Sequence, residues 1–517
     1  MTAFASAARA RTPGLPAETD DSAIGALTCE QRLAAGATTT NVFIEAGPGT
    51  GKTTVSGHRF AVHRFGPPER SDTRAVVAVS FTRSATWNLW RQVLRTWGPS
   101  ALIWPHRIVT LDTIMCDLLH DLLQHRLIRW PNEHVELQVH DSWTAFSSTF
   151  WARAAYFLRV SRTGQVEFVT YFTRDRGARV PPNVIQERVE AGVCTHQDVR
   201  DVLELALADP RCAERVAARI RTTMRALIVD EVFDANDLDI AIIELAIQAG
   251  IAVTLVGDPW QALYVFRGAR PEVVAKLVQR TGMSTLPLTR SFRWRDDSQR
   301  LLADRLRSGQ PVTLPAAAGD HGELPVDVVL SLQWKPLWQA GDQVLPLAFH
   351  AFKGGTEEAA ATLLLNHVTR NVFSEDATYL RDALTALAIE SADTPRRLQP
   401  QLQEIADQLR VPGRAALNAA YRKLSDAVAT VSPRTLRPAH AAHTGRLAEI
   451  ATRIRYRGRP VPGLTTHQAK GREWDAVGVR LSASERQALA SGLSVGVESH
   501  RQLYVACTRA RRATVAL

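Results

Sequence analysis

The chain has 517 residues, 45% of them hydrophobic, and a formal net charge of +10 at pH 7, which predicts several packed domains and a polyanionic partner, nucleic acid first. Five scattered cysteines with no Cys-x-x-Cys pair exclude a zinc or iron–sulfur site of the usual spacing and fit the reducing cytoplasm. The sequence lacks any apolar run of about 18 residues, which excludes a membrane span.

Residues 1–24, rich in Ala, Arg, Thr and Pro, have no apolar middle of a secretory signal and are expected to form a disordered tail. In Leu27-Thr28-Cys29-Glu30-Gln31-Arg32, the Gln31 amide can donate and accept at once, which matches the edge of adenine. Val42 to Glu45 then reads as a short buried strand. It runs into Ala46-Gly47-Pro48-Gly49-Thr50-Gly51-Lys52-Thr53-Thr54, followed by a helix pattern to about Phe65. Glycines at that spacing turn backbone N–H groups inward as a phosphate cradle, and the helix points its positive end at the same anion. Lys52 reaches the terminal phosphates of ATP, and the Thr53 hydroxyl is a ligand for Mg2+.

Ala75 to Ser80 is a β-branched strand, and Phe81-Thr82-Arg83-Ser84-Ala85 opens a helix to about Trp97. Arg107 to Leu111 is another strand, followed by Asp112-Thr113 and a helix. Polar residues at the carboxyl ends of parallel strands sit where such folds bind ligands, so Thr82, Arg83, Thr110 and Thr113 are candidates for a phosphodiester backbone. Each also reads as a helix cap. Leu118 to about Ile220 is expected to be an inserted, mostly helical subdomain whose Trp130, Trp143 and Trp151 serve core packing or base stacking. The sheet resumes at Ala226 to Val229 and ends in Asp230-Glu231, placing Asp230 on Mg2+ and Glu231 on the attacking water. A strand from Ile251 to Val256 runs into GDPWQALYVFRGA, residues 257–269.

The ordered set LTCEQR, AGPGTGKTT, SFTRSA, VTLDT, VDEVFD, GDPWQALYVFRGA, LTRSFRW, TTHQAKGREWD and RQLYVACTRA resembles superfamily 1 helicases of the UvrD/Rep type, over residues 27 to 510. The resemblance implies two RecA-like cores binding ATP in a shared cleft. It makes Gln261 the sensor of the terminal phosphate and Tyr264 and Phe266 the aromatics beside single-stranded DNA, with Phe266 stacking on a base. Arg267 would link that contact to the nucleotide. Arg293 would reach the terminal phosphate from the second core, ahead of Arg290, and Arg509 would be the arginine finger, within a motif that includes Tyr504 and Thr508. Thr465 and His467 fall on the DNA side of their motif, Gly471 and Glu473 on its nucleotide side.

Three departures stand out. Phe233 replaces a glutamine that normally links to the attacking water, Asp112 replaces a histidine and carries no DNA contact, and Ala46 replaces a glycine. The fold class expected is therefore α/β, with the first core over 25–117 and 221–284, the insertion over 118–220, the second core over 285–375 and 456–517, and a reduced helical insertion over 376–455. No nuclease domain is expected after the last strand. The activity implied is an ATP-dependent helicase or translocase on single-stranded DNA and duplex junctions, moving 3′ to 5′. Two alternatives are a DNA-stimulated ATPase subunit working with a nuclease or a repair or defence protein, and a nucleotide-gated interaction protein without motor function.

Overall fold

The computed structural model describes residues 27–66, 72–143, 154–173, 180–317, 324–389, 391 and 393–517. The expected tail at 1–24 and Trp151 lie outside the described residues. In chain order, β1 (Asn41–Ala46), β2 (Ala75–Ser80) and β3 (Arg107–Thr110) open the first sheet. An excursion follows, with β4 (Gln138–His140), β5 (Ala154–Val160), β6 (Val166–Phe172) and β7 (Val193–Thr195). The chain returns with β8 (Met224–Val229), β9 (Ala252–Gly257) and β10 (Ser284–Leu288). The spatial order is β10-β1-β9-β8-β2-β3, and every neighbouring pair is parallel. The β2 sequence AVVAVS is buried at every position, as a strand covered by helices on both faces must be. The registers Ile44 to Val256 and Val79 to Val229 bring the carboxyl ends of β1, β9, β8 and β2 to one edge. β3 stops one residue short of the expected Leu111, because Leu111 opens the helix Leu111–Gln124.

The excursion carries two strand pairs besides the helices expected there. β5 and β6 pair antiparallel and β4 pairs with β7, alongside the helices Pro182–Glu190, His196–Leu207 and Pro210–Thr223. The cause is a period-two pattern: Tyr156, Leu158 and Phe168 pack inward while Phe157 and Tyr171 face out, Phe157 44% exposed. Trp130 packs in the core and donates its indole N–H to the Val189 carbonyl at 2.8 Å, so packing, not base stacking, is its role. The sheet and the excursion share one continuous core, from Val77 through Leu118 to Val202, and the helix Leu111–Gln124 runs across the boundary expected at 118.

The second sheet contains β11 (Val328–Ser331), β12 (Val344–Pro346), β13 (Val461–Thr465), β14 (Trp474–Val479) and β15 (Ala510–Ala516). Its order is β12-β13-β11-β14-β15, again all parallel. Between β12 and β13 the helices Thr356–Phe373, Leu380–Ala386, Gln399–Arg410, Arg414–Ala429 and Ala441–Ile454 pack round their own core of Leu402, Tyr421, Leu424 and Leu447. The carboxyl edge of the first sheet faces residues of the second across a cleft, and that cleft holds the site.

Candidate nucleotide cleft and nucleic-acid face

The loop after β1 needs glycine where it turns. Gly49 and Gly51 have φ of +73° and +87°, which only glycine adopts without strain. A Cβ on Gly51 would also meet the Gln31 amide at 2.7 Å. Gly51 caps the helix Lys52–Phe65 without a side-chain bond, so the first backbone N–H groups of that helix are free to bind an anion. Lys52 Nζ donates to the Ala46 carbonyl at 3.3 Å and lies 3.6 Å from Glu231. Thr50 Oγ1 donates to the Gly47 carbonyl at 3.0 Å, tightening the loop.

Gln31 differs from the adenine-edge expectation. Its Oε1 accepts from Thr28 N–H at 3.0 Å and its Nε2 donates to the Thr50 carbonyl at 2.9 Å. The first bond belongs to a helix capping box and the second braces the phosphate loop, so both ends of the amide are engaged by this chain.

At the end of β8, Asp230 is 4% exposed and its N–H donates to the Val79 carbonyl at 2.9 Å. Glu231 sits at φ +59°, ψ +40°, a left-handed conformation that costs a non-glycine residue about 1–2 kcal/mol and aims its carboxylate at Lys52. Burial, then the charge of Glu231, pushes the Asp230 carboxyl up to about 7. Burial would also raise Glu231, but Lys52, Lys470 and Arg509 outweigh it and hold that carboxyl at about 2. The two acids are thus pushed apart, with Glu231 kept anionic. Thr53 stands in the first turn of the helix Lys52–Phe65, and a hydroxyl and a carboxylate are hard oxygen donors that suit Mg2+. Phe233 turns inward, edge-on to Phe43 at 5.9 Å between ring centres, and a Cβ on Gly257 would touch its ring at 2.9 Å. It fills the core beneath the acids where a polar side chain would have faced the cleft. Gln261 follows β9, 4% exposed, and donates from Nε2 to Asp258 Oδ2 at 2.8 Å.

The strand, loop and carboxylates of the first sheet are those of a P-loop domain, and comparison with known proteins agrees. Residues 31–267 match the AAA domain family. A stretch of 110 residues, 21% of this chain, is 34% identical to the RecBCD enzyme subunit RecB of Mycolicibacterium smegmatis and spans 10% of that relative's length. Both sheets, parallel and flanked by helices, have the α/β architecture of RecA-like P-loop domains. The two likenesses support, coarsely, a helicase-type ATPase.

The second sheet lies beyond the AAA domain match and contributes arginines to the cleft. The segment Ser291-Phe292-Arg293 rests on the phosphate loop: Ser291 Oγ donates to the Pro48 carbonyl at 2.8 Å and Phe292 N–H to the Gly49 carbonyl at 2.9 Å. Arg293 donates to Glu473 Oε2 at 3.0 Å and to the Thr508 carbonyl at 2.9 Å. Glu473 also accepts from Arg511 Nε at 3.1 Å, so its carboxylate holds two arginines in place. Arg290 instead lies over the Phe292 ring at 5.2 Å. Arg509 is 1% exposed; its Nε donates to the Val505 carbonyl at 3.1 Å, while its Nη2 has no hydrogen-bond partner among the described residues. Burial, then the neighbouring Arg293, drives the Arg509 pKa well down, against the pull of Glu231. A buried guanidinium with an unsatisfied N–H, beside a second arginine that itself lies against the phosphate loop, is a site shaped for an anion.

The residues expected on a nucleic acid divide. Tyr264, Phe266 and His467 form one aromatic cluster, with Phe266 and His467 edge-to-face at 5.2 Å and Phe266 63% exposed. Arg267 lies over both Tyr264 at 5.2 Å and Phe266 at 5.6 Å. Thr465 is buried at the end of β13 and leaves His467 as the residue of that pair reaching the face. Thr82 is occupied as the N-cap of the helix Arg83–Trp97, bonded to Ala85 N–H at 3.2 Å. Arg83 is paired with Asp141, and Thr110 bonds Thr113 at 3.1 Å, so these three spend their polar atoms on the fold. Asp112 accepts from Arg200 at 2.7 Å and ties the excursion to the sheet.

Two residues with no role in the sequence reading stand in the cleft. Lys470, its side chain 11% exposed, pairs with Asp234, lies 3.6 Å from Glu231, and sits 5.2 Å over the Tyr264 ring. Arg307 bridges Glu45 at 3.0 Å and Asp258 at 2.9 Å.

Proposed function

We propose that this chain is an ATP hydrolase whose cleft drives movement along single-stranded DNA, with unwinding at duplex junctions and travel 3′ to 5′. The observation that carries the reading is Arg509: a guanidinium 1% exposed, within charge range of Arg293 and Glu231, with an N–H unsatisfied among the described residues. It gains a partner when a terminal phosphate arrives, so ATP binds the closed cleft better than the open one, and hydrolysis removes that preference. Lys52 and the glycine loop hold the phosphates, Glu231 orients the attacking water, and Arg293 with Arg509 stabilises charge on the transferred group. Thr53 and Asp230 would hold Mg2+, which neutralises phosphate charge when bound. The purified chain should hydrolyse ATP faster with oligo(dT) present and displace a strand from a duplex with a 3′ single-stranded tail. Turnover indifferent to DNA would count against the motor.

A second reading is an ATPase subunit that tracks DNA but unwinds poorly without a nuclease or repair partner. The similarity to a protein named as a subunit of the RecBCD enzyme favours it. DNA-stimulated hydrolysis without strand displacement is its signature.

Phe266 offers a flat, exposed ring, and base–aromatic stacking contributes about 1–3 kcal/mol per base. Phe266→Ala should therefore raise the oligo(dT) concentration giving half-maximal stimulation by roughly 5- to 150-fold. Its ATP turnover without DNA should change far less, and equal loss of both rates would remove the stacking role.

A further inference from the structure

The helix Asp297–Arg307 ends on an arginine whose two Nη atoms serve different elements of the first sheet. Nη2 meets Glu45 Oε1 at 3.0 Å, one residue before the phosphate loop begins. Nη1 donates to Asp258 Oδ1 at 2.9 Å and lies 3.5 Å from the Tyr504 hydroxyl. The same nitrogen lies 3.9 Å from where a Cβ on Gly47 would stand, so the guanidinium is against the loop itself. The Asp258 side chain is 0% exposed, and its oxygens are divided: Oδ1 takes Arg307 and the Trp260 N–H, Oδ2 takes the Gln261 Nε2. Trp260, between them in sequence, packs at 4.9 Å on Tyr504 of the helix Glu498–Cys507, which belongs with the second sheet.

We propose that Arg307 is a positioning residue that carries closure of the cleft to Gln261. The inference rests on the hydrolase reading. A buried carboxylate keeps one orientation only while its charge is answered on both oxygens. With Arg307 on Oδ1, Oδ2 stays turned to Gln261, whose Nε2 is thereby fixed and whose Oε1 is left as the acceptor offered to the cleft. When the sheets part, Arg307 leaves with the second sheet, Asp258 loses its cation and Gln261 loses its anchor. Arg307 itself touches neither phosphate nor water; it acts through Asp258. A lysine at this position could answer Asp258 or Glu45 but not both, because its single ammonium lacks the fork of the guanidinium.

The test is a double-substitution cycle on the full chain, read as steady-state ATP hydrolysis at saturating oligo(dT). Arg307→Ala should lower kcat by about 10- to 100-fold, the cost of misplacing a catalytic group by about an ångström, with KM for ATP within about twofold. Combined with Gln261→Ala it should cost nothing further, because the two act in series. Arg307→Lys should fall between wild type and Arg307→Ala. Losses that multiply in the double variant, or Arg307→Ala at the wild-type kcat, overturn the inference. If Arg307→Ala does not fold, Arg307→Lys carries the same cycle: partial loss alone and no added loss with Gln261→Ala support it, and a multiplied loss overturns it. A wild-type chain that hydrolyses no ATP overturns the hydrolase reading instead, so the two failures are distinct.

Discussion

Arg509→Met should lower kcat for ATP hydrolysis by about 1,000-fold or more while the melting temperature holds or rises. The rate loss follows from the magnitude attached to arginines that meet transferring phosphoryl charge, about 1,000- to 100,000-fold. The stability gain follows from the cost of keeping Arg509 without nucleotide. Its guanidinium is 1% exposed, has an unpartnered Nη2, and faces another cation, Arg293. Methionine fills similar volume and needs no partner, and exchanging a poorly answered buried charge for an apolar side chain is neutral or favourable by about 1–4 kcal/mol. Lys52→Ala is the companion. It should also abolish turnover, but Lys52 is a charge answered at close range by the Ala46 carbonyl and Glu231, so its removal relieves no unmet charge and brings no such gain. Thermal melting of both variants, with and without a non-hydrolysable ATP analogue, separates them. Arg509→Met melting well below wild type would mean that the arginine braces the empty fold and does not wait for phosphate.

How far the sequence reaches depends on the span of each interaction. The phosphate loop is legible because its chemistry is local: strand, glycines, lysine and helix follow one another within residues 41–65. Asp230 and Glu231 are legible because an apolar strand ends on them. The roles of Thr82 and Gln31 were written locally too. Thr28 to Gln31 has capping-box spacing, and Thr82 stands three residues before Ala85, so the competing cap explanation was available for both. The strands β5 and β6 were hidden by the arginine and tryptophan content around them, although AAYFLRV and VEFVTYF are rich in aromatic and β-branched residues. Lys470 and Asp234 are 236 positions apart, and Arg307 and Glu45 are 262 apart; no periodicity or spacing reports a contact of that range. The sequence therefore shows which residues carry the chemistry more readily than it shows what positions them.

Lys470 bears on how a strand on the outer face reaches the acids, and its removal should uncouple the two. Where the sequence resemblance expects a glutamine, Phe233 stands here, buried against Phe43 and unable to donate or accept. Lys470 spans the gap from the second sheet, its ammonium on Asp234, within 3.6 Å of Glu231, and 5.2 Å over the Tyr264 ring that neighbours Phe266. On the proposed reading a shift of Tyr264 on stacking would move the ring under the ammonium, and the ammonium contributes to the field at Glu231. Simple deletion is a poor probe, because it strands the Asp234 carboxylate, 4% exposed, at a cost of about 3–5 kcal/mol. The pair Lys470→Met with Asp234→Asn removes both charges together. In that variant the ratio of ATP turnover with and without oligo(dT) should fall towards one, with the stimulated rate losing more than the basal rate. Glu231 supplies a second readout with a definite sign. Its carboxyl is held at about 2 by Lys52, Lys470 and Arg509 against burial, so losing one of the three lets burial raise it. Both acids work ionised, Asp230 is the last to lose its proton and Lys470 lowers it too, so the acid limb of the kcat/KM profile should move to higher pH. DNA stimulation preserved in full, with the acid limb unmoved, would mean that the signal from the DNA face travels by another route, with Gln261 the first place to look.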